Sequence, residues 1–553
     1  MHISLSEDAR RRLSESHLLS RGVCEIYTLL FALVHILFFR NGFFDINRSK
    51  YYLLVYSASA AAGLCGLFLC IERFMRRPDM RYTARRPMLA PIGACILSAA
   101  MLISSALSPD PLAALTGSGG RYAGALCFLA MCALFAMRMW AQGAAWPVAG
   151  ALGLSGALCA LLGVCNFLRF DPFHFYTESL KPIYHNDFIS TIGNINFFSA
   201  YMCLLLGLFG GFFLKTRGRR AYLFLVPYAL CAMGLLAARS ESGMIGFAAI
   251  FIAICLAKMR TMKEAGRVCI LLGAFCLSAL CMGALVQWRG GSHMELYAGI
   301  ATTLMRSGTF MLIGALICLG LAAFFFTRRE CPANERRLIA AQRALLFLAA
   351  LSAAAVIALM VYFTAINPSA PLSGLASYLR MDDHWGTFRG FIWKKTLVLY
   401  NELPLLQKLF GVGPDSLKPL LVEKCYDEMV TLTGILFDNA HNEFLQLLIT
   451  GGAVGLLGYL LMIAGAMIPL RRAMRSDPAL FAVYLALCAH LAQSVFNIAQ
   501  PETTPAVFLL LAVAAGARSR RRTPGAKEMP GAKETPGVKE TPGALPPDPC
   551  QGE

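Results

Sequence analysis

The sequence predicts an all-α, polytopic membrane protein with about 12–14 transmembrane helices, and three observations lead there. The 553-residue chain is 57% hydrophobic and only 15% charged, whereas soluble domains run near one quarter charged. Its mean hydropathy of +0.59 is concentrated in many apolar runs that approach the ~20 residues a helix needs to cross a bilayer. Its basic residues, net charge +18, sit in short clusters between those runs. That is the pattern of cytoplasmic loops, so the charge reads as topology and excludes a nucleic-acid-binding class.

In order, the predicted spans lie near residues 22–39, 52–71, 87–107, 123–141, 145–167, 194–214, 221–237, 243–257, 268–286, 308–327, 344–364, 443–469, 479–497 and 504–517. The first follows the polar stretch "MHISLSEDARRRLSESHLLSRG", which carries Arg10 to Arg12 and no cleavable signal pattern, so this span acts as its own insertion signal. "ERFMRRPDMRYTARRP" at 72–87 separates the second from the third, and "LSPDPLAALTGSGGR" precedes the fourth. "KTRGRR" at 215–220 closes the sixth, "ARSESG" parts the seventh from the eighth, and "KMRTMKEAGR" at 258–267 parts the eighth from the ninth. "TRRECPANERR" at 327–337, "RRAMR" at 471–475 and "RSRRR" at 518–522 follow the tenth, twelfth and fourteenth. The last span is short enough to be half-inserted.

With fourteen spans, every strongly basic cluster falls on one side. The positive-inside rule then puts both termini in the cytoplasm of a multi-pass cytoplasmic-membrane protein. The expected organisation is a cytoplasmic N-terminus (1–21), helices one to eleven (22–364), a large extracytoplasmic loop with short helices of its own (365–440), a final helical segment (441–517) and a cytoplasmic tail (518–553). The tail's "TPGAKEMPGAKETPGVKETPGALPPDP" repeats x-P-G-x-K-E; its Pro and Gly forbid regular structure and its apolar content is too low to bury. The 19 cysteines lie almost entirely in apolar runs, with no CxxC and no ligand spacing. They read as small hydrophobes, not as a disulfide framework or a metal site.

That orientation collects polar residues on the outer face. Arg121 stands in "GSGGRYAG", Asn194 and Asn196 in "YHNDFISTIGNINFFSAY", and Arg239 in "ARSESGMIG". The large loop adds Arg380, His384, Arg389, Trp393 and "GVGPDSL", and His441 and Asn442 open the next apolar run, followed by Gly452 and Gly455. Arginine at a membrane border is costly and usually partnered, and its planar fork suits phosphate oxygens. Four arginines and a histidine on one face therefore match a lipid-carried anion, above all a diphosphate. Each residue also has a plainer reading. An arginine at a helix end snorkels to headgroups, "GNIN" supplies a helix cap, and "GGAVGLLG" packs helices through small residues.

His441-Asn442, nine residues, then Gly452-x-x-Gly455 resembles the signature of the O-antigen ligase and O-antigen polymerase superfamily of membrane glycosyltransferases. "FRGFIWKK" places Arg389 and Trp393 in that family's R-x-x-x-W arrangement, "LFGVGPDSL" is similar to its G-x-G segment, and "GNINFFSAY" to its G-N-x-N element. "ARSESGMIG" stands where relatives carry Ser-Arg, here in the order Arg239-Ser240. The likeness runs from about Arg121 to the thirteenth span.

The resemblance implies a GT-C-like fold and transfer of a glycan from a polyprenyl-diphosphate carrier to an acceptor hydroxyl, with inversion and without metal, cofactor or nucleotide sugar. Arg389 would stabilise the leaving diphosphate, with Arg239 and Arg121 as further phosphate contacts. His441 would act as general base or as a phosphate hydrogen-bond donor. Asn442 would orient the imidazole or cap the helix, Gly452 and Gly455 would let that helix pack closely, and Asn194, Asn196 and Trp393 would support the site. Adjacent Asp382 and Asp383 in "MDDHW" do not read as a metal pair, since neighbouring side chains rarely point to one site. The partners implied are the lipid-linked donor, a glycan, lipid or protein acceptor of the cell envelope, and membrane lipid. A ligase, a polymerase and a protein O-oligosaccharyltransferase share these motifs. From another class, a transporter or flippase of lipid-linked glycan would show paired halves and midplane charges, and neither is visible.

Overall fold

The computed structural model describes residues 17–75, 89–117, 121–176, 187–290 and 299–517. Arg10 to Arg12, most of the 72–87 basic loop, the "RSRRR" cluster and the repeat tail lie outside the described residues.

Each of the fourteen apolar runs folds as a helix. They are α1 (Leu18–Val34), α2 (Ile46–Phe74), α3 (Leu89–Leu107), α4 (Ala125–Ala141), α5 (Ala145–Phe167), α6 (Ile195–Lys215) and α7 (Leu225–Ala238). They continue with α8 (Glu241–Ala257), α9 (Met262–Trp288), α10 (Gly308–Thr327), α11 (Pro332–Val361), α12 (Glu443–Ala473), α13 (Pro478–Gln493) and α14 (Thr504–Ala515). Ten helical stretches among the described residues are long and apolar enough to cross a membrane, and the only strands described are the two-residue pair Phe188–Ile189 and Gly193–Asn194. The protein is an all-α polytopic membrane protein. Helix α1 begins at Leu18, inside the stretch read as an N-terminal tail, and α11 begins twelve residues ahead of its expected start because Pro332 at its first turn needs no N–H partner there.

Helix α6 is the hub. Its whole apolar stretch is buried, and it packs on α13, α7 and α8. Helix α14 is also enclosed on every side. Its 12 residues reach only about 18 Å, less than a bilayer core. The irregular segment leading into it buries Asn497, Gln500 and Glu502, as non-helical backbone at membrane depth requires. Helices α10 and α11 stand at the edge, with almost none of their apolar surface covered by protein.

Helices α3 and α12 pack backbone against backbone, and small residues permit it. A Cβ on Gly458 would stand 2.6 Å from the Leu97 backbone nitrogen, and one on Gly93 would strike the Met462 nitrogen. Dispersion between backbones replaces the hydrophobic drive that lipid does not supply. Helix α12 is broken, however, at Gly452, whose φ of 69° and ψ of −178° are not helical.

The large loop folds as four α-helices, Ala376–Leu379, Trp385–Glu402, Leu405–Phe410 and Leu417–Thr433. Phe391, Ile392, Leu399, Val412, Leu417, Leu421 and Met429 give it a core of its own, closed against Ile449 of α12. At the far end of the bundle, where α12 finishes at Arg471 and Arg472, the basic loops are tied together. Lys215 pairs with Glu264 and lies 4.9 Å from the Phe481 ring centroid. The Glu330 carboxylate accepts from the Met262 and Lys263 amides at 3.0 and 3.1 Å.

Gly458→Val should force α3 from α12 and lower the thermal unfolding midpoint in detergent, by the equivalent of about 1–3 kcal/mol of overpacking. Gly150→Val, where nothing lies within 4 Å of an added Cβ, should leave that midpoint unchanged.

Candidate functional site

The turn "DNAHN" enters α12 by folding back on itself. The Ala440 amide donates to Gln446 Oε1 and the His441 amide to Asn439 Oδ1, each at 2.8 Å. His441 takes a left-handed backbone, φ 46°, a conformation uncommon outside glycine but tolerated by histidine. Asn442 then caps the helix, its Oδ1 accepting from the Phe444 and Leu445 amides at 3.0 Å. Of its two expected roles, the cap is the one with hydrogen bonds.

Arg121 reaches this turn from the loop ahead of α4. Its Nε donates to Asp438 Oδ2 at 2.7 Å and its Nη2 to Asp438 Oδ1 at 3.3 Å, a two-pronged pair. Burial works against both charges, yet each partner overcomes it. Asp438 holds the Arg121 guanidinium above its usual range, and Arg121 holds the Asp438 carboxyl below. Glu502 and Asp415 also act on Arg121. Arg121 is thus surrounded by carboxylates, and its fork is filled. That ion pair ties the loop ahead of α4 to the His441 turn.

Arg389 is differently placed. Gly386, Thr387 and Phe388 all have positive φ, at 58°, 57° and 66°, which for a β-branched residue is an outlier and costs energy of the kind stored at ligand clamps. Arg389 follows this turn, its Nη1 donating to the Gly386 carbonyl at 2.8 Å and to Thr387 Oγ1 at 3.3 Å. Its Nε is buried without a hydrogen-bond partner, and so is Trp393 Nε1, one helical turn on and on the same face. The Trp393 ring is held between Trp385 and Phe496, with centroids 5.5 and 6.0 Å away. The Arg389 charge, the Arg121 charge and above all burial lower His441 to about 4, with Asp438 opposing. Arg121, Arg389, Asp438 and His441 therefore form one electrostatic unit.

The other expected residues are placed around this unit. Arg239, left-handed at φ 52°, lies 5.3 Å over the Phe167 ring, while Glu241, two residues on, acts on Arg389 and accepts from the Tyr378 hydroxyl at 2.5 Å. Asn194 caps α6 by accepting from the Asn196 amide at 2.9 Å. Asn196 Oδ1 accepts from Ser240 at 2.8 Å, which ties the Arg239 turn to α6. Arg380 donates to the Ala370 carbonyl at 2.6 Å, and His384 stacks obliquely on Phe388 at 5.4 Å. Asp382 accepts from the His384 amide at 3.0 Å while Asp383 lies 3.6 Å from Lys394 Nζ, so the two acids point to different partners.

Gly455 faces α3, where an added Cβ would stand 3.3 Å from the Met101 methyl and 3.5 Å from the Ala100 Cβ. The packing role expected of Gly452 is corrected: its open face receives the loop backbone at Leu409 and Phe410. There the Val412 amide donates to the Ile449 carbonyl at 3.0 Å and the Gly413 amide to the Thr450 carbonyl at 3.3 Å. Asp438, Glu241 and Glu443 were not singled out beforehand. The signal was present in "DNAHNE", where two acids flank a histidine at the threshold of an apolar run.

Residues 296–460 match the family model for O-antigen ligase. The matched segment contains Arg380, Arg389, Trp393, His441, Asn442, Gly452 and Gly455; Arg121, Asn194, Asn196 and Arg239 precede it, so it is shorter than the likeness read from the motifs. No curated protein and no solved structure matches the chain.

A nitrogen NMR titration of the His441 imidazole should find it neutral down to about pH 4. Arg389→Gln removes a cation that disfavours protonation, so the midpoint should rise towards the ordinary histidine value of about 6.5. Asp438→Asn should move it the opposite way.

Proposed function

We propose that this chain, a member of the O-antigen ligase superfamily by its residues 296–460, transfers a glycan from a polyprenyl-diphosphate carrier to an acceptor hydroxyl on the extracytoplasmic face of the cytoplasmic membrane. The observation that carries this reading is the pair of buried, unpaired donors, Arg389 Nε and Trp393 Nε1, beside a neutral histidine. An unpaired buried donor costs free energy unless a ligand supplies its acceptor. A diphosphate supplies several oxygens and the negative charge that Arg389 lacks.

In this reading Arg389 meets the donor's diphosphate and stabilises the charge that grows on it as the anomeric bond breaks. The acceptor hydroxyl attacks the anomeric carbon directly, inverting it, and His441 takes the hydroxyl's proton. The neutral imidazole is ready for that role. Diphosphate on Arg389 offsets the positive field that disfavours imidazolium, so donor binding itself makes His441 more basic. Arg121 and Asp438 hold the His441 turn, and Arg239 stands as a second contact further along the donor. The cation-rich ends of the helices face the cytoplasm and the site faces away from it. A ligase is favoured over a polymerase by the spacing from His441 to Gly455.

Purified protein in detergent, given an undecaprenyl-diphosphate-linked saccharide and an acceptor, should release free undecaprenyl diphosphate. Arg389→Ala should slow release about 10²–10³-fold and His441→Ala about 10²–10⁴-fold, both in folded protein. A wild type that binds donor through Arg389 and releases nothing would instead favour a transporter.

A further inference from the structure

Three titratable side chains lie behind the site, Glu443 and Tyr459 buried and His490 nearly so, and the mechanism above uses none of them. Glu443 is the first residue of α12, two after His441, and its side chain is only 2% exposed. Its Oε1 accepts from the Tyr459 hydroxyl at 2.8 Å. Its Oε2 lies 3.7 Å from His490 Nε2 on α13, and that nitrogen has no hydrogen-bond partner. A separation of 3.7 Å is too long for a hydrogen bond, so the imidazole is buried beside a carboxylate without the bond that would offset its burial.

The same glutamate also faces the Arg121–Asp438 pair. It lines a narrow cavity of about 20 Å³ together with Arg121, Asp415, Asp438, Asn439 and Gln446. That is room for roughly one water, among enough polar partners to hold it. The cavity thus joins the Arg121–Asp438 brace on one side to the Glu443–His490 pair on the other. Ionisable groups inside a membrane bundle are expensive, and where they persist they commonly form proton pathways.

We propose that Glu443 and His490 are a proton relay, which receives across this cavity the proton that the acceptor hydroxyl gives up at His441. The proposal rests on the transferase reading. The acceptor O–H bond breaks as its oxygen bonds the anomeric carbon, and the electron pair of the anomeric C–O bond departs with the lipid diphosphate. The proton passes from His441 by way of the Asp438 side of the cavity to Glu443, where His490 closes on the carboxyl and shares it. It returns to the departing diphosphate or to solvent, so no further reactant is consumed. Neither residue touches substrate; both act through the His441 turn. The charged and titratable groups facing Glu443 are Tyr459 on its own helix, His490 on α13, and Arg121, Asp415 and Asp438 across the cavity.

A strut between α12 and α13 would need only hydrogen bonds, and Glu443→Gln keeps an acceptor for Tyr459 while losing the ability to take a proton. In full-length protein reconstituted in liposomes with an undecaprenyl-diphosphate-linked saccharide, Glu443→Gln should lower kcat about tenfold or more with donor KM unchanged. Glu443→Asp should restore part of that loss, and the acid limb of the kcat profile should shift in His490→Gln. Infrared difference spectra on adding undecaprenyl diphosphate should show a protonated-carboxyl change in wild type that Glu443→Gln abolishes. Release at the wild-type rate by folded Glu443→Gln, or a carboxyl change that survives the substitution, overturns the relay. An inactive wild type would refute the transferase reading and the relay with it, whereas an active wild type without the carboxyl change would refute the relay alone.

Discussion

The site depends on a break in a helix. At Gly452 the backbone of α12 leaves the helical region, which frees carbonyls one turn back that lipid could never satisfy. The Ile449 and Thr450 carbonyls accept instead from the Val412 and Gly413 amides of the large loop, and Thr450 also accepts from Ser104 of α3 at 2.5 Å. A membrane helix carrying His441 and a loop carrying Arg389 thereby become one body. Glycine is required on both sides of the joint: Gly452, Gly411 and Gly413 all have positive φ, and a Cβ on Gly411 would strike the Thr450 carbonyl.

That joint explains how the arginines divide their work. Arg121 faces Asp438, Asp415 and Glu502, so its charge is spent on holding the turn that aims His441. Arg389 has only the carbonyl and hydroxyl of its own strained turn, and Glu241 tempers its charge from the neighbouring loop. In the proposed function one cation braces the turn and the other meets the donor's anion. A bound diphosphate would then alter the field at His441 through Arg389 alone, without moving the brace.

Apolar periodicity made the helices legible, because hydrocarbon demands a long unbroken run whatever the neighbouring sequence. The runs at 145–167 and 308–327 were read to the residue as the helices Ala145–Phe167 and Gly308–Thr327. What a single sequence did not reveal was partnership. Nothing local in "GSGGRYAG" tells Arg121 that its counter-ion lies at position 438, and nothing in "ARSESG" directs Arg239 to Phe167 and its neighbour Glu241 towards Arg389. Gly452 and Gly455 looked alike as small residues in one helix. Only the approach of the loop backbone separates a hinge from a packing position. The caps at Asn194 and Asn442 were readable, since an Asn just ahead of an apolar run has a local reason to be there.

The most direct measurement is hydrogen exchange at the Val412 and Gly413 amides, in wild type and in Gly452→Ala, with undecaprenyl diphosphate release followed on the same samples. Slow exchange in wild type, fast exchange with loss of release in Gly452→Ala, and wild-type behaviour in Gly455→Ala are the predicted results. Equal protection of both amides in wild type and Gly452→Ala, with release intact, would contradict the account.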